Sequence, residues 1–287
     1  MSGAAAGKTS GSGPRVALAL GGGSARGLAH IAMLEAFDEL GIRPAFIAGT
    51  SMGAICGGAY AAGLSAREMR GEFTALLSNR IRFFRNFAGK LPGSLSSLWS
   101  LRNPGVFDNV TLFEMLMPDA MHCDFAGLQI PFAAIAADFY ANEQVILDSG
   151  PLIPALAASA SLPNMARPVL TGGRVLIDGG YVNPLPFDVA MQHGDITVAV
   201  DVTGGNHPQP GVPVPGNLEL MSGATQLLFH AVTREKLKSQ RPDILIRPDV
   251  STFTSMDYFR MGDILARAQP AKDDLKRQLA QKLASVA

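Results

Sequence analysis

The sequence predicts an α/β fold of three layers, with helices on both faces of a mostly parallel central sheet. Two observations carry this. Strand-like and helix-like segments alternate over the first fifty residues after Arg15, the order that parallel strands joined by right-handed crossovers require. The later strand candidates are bare apolar runs rather than alternating ones, as expected of a sheet covered on both faces. With 287 residues, 47% of them hydrophobic, the chain can bury a core of that size against the entropy of ordering.

Taken in order, Arg15–Leu20 is a short apolar strand that leaves into Gly21-Gly22-Gly23. Leu28, Ile31, Leu34, Phe37 and Leu40 then recur at helical spacing until Gly41 and Pro44 stop the helix. Ala45–Ala48 is a second strand; it enters Gly49-Thr50-Ser51-Met52-Gly53, and a small-residue helix runs from there to about Leu64. Further strands are expected at Ile130–Ala136, Gln144–Leu147, Arg174–Ile177, Ile196–Val202 and Asp243–Arg247. Residues 204–217 hold four glycines and four prolines and read as a loop. Leu275, Leu279 and Leu283 stripe a terminal helix over Lys272–Leu283, and Pro270 is expected to break or kink whatever precedes it. No internal repeat is present. The organisation expected is a flexible tail over residues 1–14 and one domain over 15–287.

Composition narrows the function. Lys and Arg number 24 and Asp and Glu number 24, so the formal net charge is zero and the global basic field of a nucleic-acid binder is missing. Cys56 and Cys123 can build neither a disulfide framework nor a zinc site, which suits a reducing, cytoplasmic compartment. The Gly/Ala/Ser-rich N-terminus lacks the apolar stretch of a secretory signal. Met52–Leu64, the longest apolar stretch, has 13 residues, short of the roughly 20 that span a bilayer.

Three motifs carry chemistry. Gly49-Thr50-Ser51-Met52-Gly53 stands between a strand and a helix, the context that a nucleophilic serine on a sharp turn requires. Its glycines have no Cβ to clash with the neighbouring strand and helix, and the helix that follows points its N–H groups at Ser51. Gly21–Gly27 is a second glycine-rich strand–helix loop. It fails the dinucleotide pattern, because Arg26 stands where the last glycine belongs, and it fails the phosphate-loop pattern, because Leu28-Ala29 follows Gly27. A loop of freely oriented N–H groups beside the serine strand suits an oxyanion hole for acyl transfer. Asp178-Gly179-Gly180 follows a strand at its carboxyl end, where its glycines let the carboxylate approach another loop closely.

In order and spacing these motifs resemble the patatin-like phospholipase family in its bacterial form. The matching residues are Gly21–Gly27 with Leu28-Ala29-His30-Ile31, Gly49–Gly53, and Asp178-Gly179-Gly180 with Asn183 and Pro184. Ala158–Pro163 running into Arg167-Pro168-Val169 matches too, and Pro131–Asp138 more weakly. The resemblance spans Arg15 to Val202. It implies a patatin-like α/β fold and hydrolysis of lipid acyl esters, on phospholipid or lysophospholipid, by a Ser–Asp dyad without a cofactor. On this sequence Ser51 matches the nucleophile and Asp178 the general base. Gly21, Gly22 and Gly23, with the N–H of Met52, match the oxyanion hole, and Arg26 matches a basic loop residue expected to bind substrate. Two departures stand out: Leu20 replaces the Asp of the plant pattern, and Met165 stands where an aromatic is common.

Two other readings remain from the residues. A general carboxylesterase would need a Ser–Asp–His triad; His193, His207 and His230 follow Asp178 in that order, and none has a local signature. A patatin-fold binding or regulatory protein would keep the fold with little turnover. No cluster with metal-ligand spacing is present. Residues 73–107 contain no Asp or Glu but hold Arg80, Arg82, Arg85, Lys90 and Arg102 among Phe83, Phe84, Phe87 and Trp99. That composition suits either peripheral contact with a membrane surface or a cap packed on the core.

Overall fold

The computed structural model describes residues 13–78, 108–163, 165–205, 214 and 216–286. Of the expected tail only residues 13 and 14 fall within it, and of the basic–aromatic stretch 73–107 only residues 73–78 do.

Among the described residues eight strands form one sheet: β1 (Val16–Leu20), β2 (Phe46–Thr50), β3 (Phe132–Asp138), β4 (Glu143–Leu147), β5 (Val169–Thr171), β6 (Arg174–Asp178), β7 (Ile196–Val200) and β8 (Ile244–Ile246). Bonded neighbours run β5-β6-β3-β2-β1-β7-β8, and β4 also pairs with β3. The strands β3, β2, β1, β7 and β8 are mutually parallel; β4, β5 and β6 form an antiparallel wing. Each strand expected from the sequence is present within a few residues. β5 was missed, being three residues folded back on β6 through Gly172 and Gly173, both at positive φ.

The pleat explains the layers. Leu18, Leu20, Ile47, Phe132, Val198 and Val200 point to one face and meet α1 (His30–Leu40), α2 (Met52–Ala61) and the C-terminal helix. Their neighbours Ala17, Ala19, Ala48, Ala133 and Ala199 point to the other face, where small side chains let Leu185, Phe187, Val189 and Leu237 pack close. The other helices are α3 (Ala66–Ser78), α4 (Asn109–Leu116), α5 (Leu152–Ser159), α6 (Phe187–Ala190), α7 (Asn217–Ser239) and α8 (Met261–Val286).

The expected break at Pro270 does not occur: α8 is continuous through it. A proline inside a helix costs about 3 kcal/mol in lost hydrogen bonding and clash. Ile264, Leu265 and Ala268 before it and Leu275 and Leu279 after it are all buried. Anchoring on both sides, at roughly 1.5–3 kcal/mol for each large apolar side chain, outweighs that cost.

Glycine matters most where α2 crosses the end of β1. A Cβ on Gly53 would lie 2.1 Å from the Leu20 carbonyl oxygen, with no flexible side chain able to give way. Helix propensity alone would make Gly53→Ala stabilising by about 1 kcal/mol. The contact reverses the sign: the variant is expected to lose at least about 2 kcal/mol in urea denaturation, and an unchanged or raised midpoint would refute the close approach.

Candidate active site

Ser51 sits between the last residue of β2 and the first of α2 with φ 55° and ψ −122°, in the region that L side chains rarely adopt. A turn this sharp presents the hydroxyl rather than folding it into the strand, and the strain must be held by the surroundings. The Ser51 N–H donates to Ser159 Oγ at 3.0 Å, and the Ser159 hydroxyl donates to the Ile135 carbonyl at 2.6 Å. Thr50 Oγ1 donates to the Asn183 carbonyl at 2.8 Å, which ties the elbow to the chain beyond Asp178.

Asp178 ends β6. Its Oδ2 accepts from Ser51 Oγ at 2.7 Å and its Oδ1 from the Gly180 N–H at 2.8 Å. The carboxyl is 1% exposed and meets no cation among the described residues. Burial therefore pushes its pKa up to about 6, partly offset by the two hydrogen bonds. Gly179 allows the turn, since a Cβ there would lie 2.1 Å from the Ile135 carbonyl oxygen.

The glycine loop lies against the serine: a Cβ on Gly22 would stand 3.4 Å from Ser51 Cβ. Its N–H groups are not equivalent. Gly21 donates to the Val200 carbonyl at 3.0 Å and Gly22 to the Pro184 carbonyl at 2.8 Å, so these two of the expected oxyanion donors are engaged by the protein. The N–H groups of Gly23 and Met52 meet no protein acceptor among the described residues. His30 orients the loop. Its Nε2 donates to the Gly21 carbonyl at 2.7 Å, while burial pulls its pKa down to about 4, so the ring is neutral.

Arg26 departs from the substrate contact expected of it. It is 3% exposed, and its donors go to the Phe253, Thr203 and Gly205 carbonyls and to Gln226 Oε1. A guanidinium so committed clamps the glycine loop to the C-terminal segments. The histidines are elsewhere: His193 stacks on Phe46, His122 and His230 are exposed, and His207 lies outside the described residues. Neither Ser51 nor Asp178 bonds to a histidine among the described residues. Ser159 and Tyr258 were not anticipated as site residues. Burial pushes the Tyr258 phenol up to about 12, and the nearby Asp178 charge adds to this. Ala158–Pro163 matches the family pattern, but a serine among alanines carries no signal of what it will touch.

These features define an α/β protein whose strand–elbow–helix serine is paired with a buried carboxylate from an antiparallel strand. The Patatin-like phospholipase family model matches residues 18–191, and the chain belongs to that family. An uncharacterized NTE family protein of Mycobacterium tuberculosis is 38% identical over 194 residues, 67% of this chain and 50% of its own. Lysophospholipase NTE1 of Kluyveromyces lactis is 27% identical over 94% of this chain and 20% of its own. Human patatin-like phospholipase domain-containing protein 6 is 26% identical over 88% and 19% respectively. The match thus spans about half the length of the mycobacterial relative and a fifth of the others. Among solved structures, VipD from Legionella pneumophila overlays 92% of this chain and 67% of its own, at 12% identity and TM-score 0.47. Among the described residues no helix is long and apolar enough to cross a membrane, and no three His, Cys, Asp or Glu cluster as metal ligands.

The buried acid costs stability in a pH-dependent way. Asp178 keeps its proton to about pH 6, whereas an ordinary aspartate releases it near 3.8. Between those values the folded state binds more protons, so this contribution to stability falls as pH rises through the window and stays lost above it. Asp178→Asn is therefore expected to exceed the parent by on the order of 2–3 kcal/mol at pH 8 and to match it near pH 3.5. Thermal unfolding across pH measures this, and a gain that does not shrink on acidification would contradict burial as the cause.

Proposed function

We propose that the protein hydrolyses fatty-acyl ester bonds of phospholipids or lysophospholipids, with Ser51 as nucleophile and Asp178 as general base. The observation that supports this most directly is the 2.7 Å contact between Ser51 Oγ and a buried carboxylate that meets no cation among the described residues. Family membership and a lysophospholipase among the relatives support acyl lipids as the substrate class.

In this reading Asp178 takes the Ser51 proton as Oγ attacks the ester carbonyl. The developing oxyanion lies against the N–H groups of Gly23 and Met52, at the N-terminal end of α2 where the helix dipole favours negative charge. The tetrahedral intermediate collapses, the alcohol leaves with the proton held by Asp178, and an acyl-serine remains. Asp178 then deprotonates a water that attacks the acyl carbonyl, and the fatty acid is released as Ser51 recovers its proton. A carboxylate of ordinary pKa is a weak base, and burial brings this one nearer to neutrality, where a base works best. His30, neutral and hidden, acts through the Gly21 peptide it holds.

Ser51→Ala and Asp178→Asn are each expected to lower kcat/KM on a lysophospholipid at least about 10³-fold. A fluorophosphonate probe should label the parent and not Ser51→Ala. Because the base must be ionised, kcat/KM should rise with pH through about 6 and then level. An unlabelled parent, or loss of activity in His230→Ala or His193→Ala with the fold intact, would overturn the dyad.

A further inference from the structure

Helix α7 has two faces of different kinds. Its inner face is bolted to the site. Phe229 covers Gly180, where a Cβ would stand 2.2 Å from the ring, and meets Tyr181 edge-on at 5.4 Å. Gln226 accepts from Arg26, and Lys236 donates to Asn183 Oδ1 at 2.6 Å and to Asp188.

Its outer face carries large apolar side chains in water. Leu220, Met221, Leu227 and Leu228 are exposed by 49, 48, 66 and 41%. Their offsets of one, seven and eight residues from Leu220 place them on one side of the helix. Towards the C-terminus the same side carries Arg234 and Lys238, which follow Leu220 and Leu227 at intervals of seven, seven and four, with Glu235 beside them paired to Lys238. Beside that end lies a cavity of about 670 Å³ with His230, Arg234, Lys238, Arg241 and Arg247 on its walls, opposed by Asp201 and Asp243. Arg247 is paired with Asp201, Lys238 with Glu235, and Asp243 with Lys282. Arg234 and Arg241 meet no carboxylate at ion-pair distance among the described residues.

We propose that this outer face docks the protein on the surface of a bilayer containing anionic phospholipid. Leu220, Met221, Leu227 and Leu228 enter the boundary between headgroups and acyl chains, and Arg234, Arg241 and their neighbours meet lipid phosphates. The charge complementarity argues for a lipid surface, since apolar insertion with cations at headgroup depth is how an in-plane helix gains affinity. Docking here carries the site with it, because the inner face of the same helix holds the turn that follows Asp178. The inference rests on the acyl-lipid reading above and gives that reading an orientation.

The test is co-sedimentation of the full chain with sucrose-loaded vesicles of phosphatidylcholine alone and of phosphatidylcholine with phosphatidylglycerol. Cleavage of a short-chain, monomeric ester by each variant reports that the fold and site are intact. The parent is expected to bind the anionic vesicles more tightly, and less so in high salt. Arg234→Gln with Lys238→Gln should weaken binding to anionic vesicles roughly 10- to 25-fold, at about fivefold per cation removed. Leu227→Glu with Leu228→Glu should weaken binding to both vesicle types, with monomeric-ester cleavage unchanged. A parent that binds neither vesicle, or variants that bind as the parent does, would overturn the proposal. So would a dimer in gel filtration that Leu227→Glu with Leu228→Glu dissociates while vesicle binding persists, since the stripe would then be a contact between copies. If vesicle binding behaves as expected but bound phospholipid is not hydrolysed, the docking stands and the choice of substrate falls.

Discussion

One edge of β3 receives two strands that run towards each other. β4 lies along Ala134–Asp138, so β2, bonded at Phe132–Ile135, and β6, bonded at Ala136–Asp138, must share the opposite edge. Thr50 pairs with Ile135, and Asp178 pairs with Ala136, the next residue along. Two chain ends that approach within one strand residue, about 3.3 Å, cannot both continue. β2 turns away into α2 at Ser51 and β6 turns away at Gly179, and the two side chains left at the junction are the hydroxyl and the carboxylate. Much of the site's geometry follows from this collision. Ser159 Oγ reaches the Ile135 carbonyl there, and Gly179 lies against the same carbonyl.

The junction is expensive. It combines a serine at positive φ with a carboxyl removed from water and, among the described residues, from any cation, and neither would persist in a loosely packed region. The surroundings over-determine it. Buried alanines on the thin face of the sheet keep α6 close, α5 supplies the serine that holds the elbow N–H, and α7 covers Gly180. The glycine loop is held likewise by His30, Val200 and Pro184. Those contacts orient the loop and consume two of its N–H groups, so fewer of its donors stay open than its glycine count suggests.

The legible parts of the sequence were those whose meaning is local. Leu28 to Leu40 at helical spacing reads as a helix anywhere, and the bare runs at 130–136 and 196–202 read as covered strands because both faces of the sheet are apolar. Ser51 and Asp178 were legible through the strand–turn–helix context and the glycines around them. Arg26 misled because a cation in a glycine loop looks the same whether it faces ligand or carbonyls; the carbonyls that take it, at Thr203 and Phe253, are distant in sequence. Pro270 does not break α8, because its local cost is fixed while the burial that outweighs it comes from α1 and the sheet. β5 is too short to have a period.

By itself, then, the sequence determined the α/β class, the strands and helices that build it, and the serine, aspartate and glycine loop as residues to watch, because backbone propensity, hydrophobic period and turn chemistry act within a few residues. Only the tertiary structure decided that Ser51 and Asp178 touch, which of the glycine N–H groups remain open, what Arg26 is spent on, and that α7 presents leucines and then arginines to solvent. Those depend on contacts between segments more than a hundred residues apart, such as Ser51 with Ser159 and Asp178, and no local pattern encodes the partner at the other end.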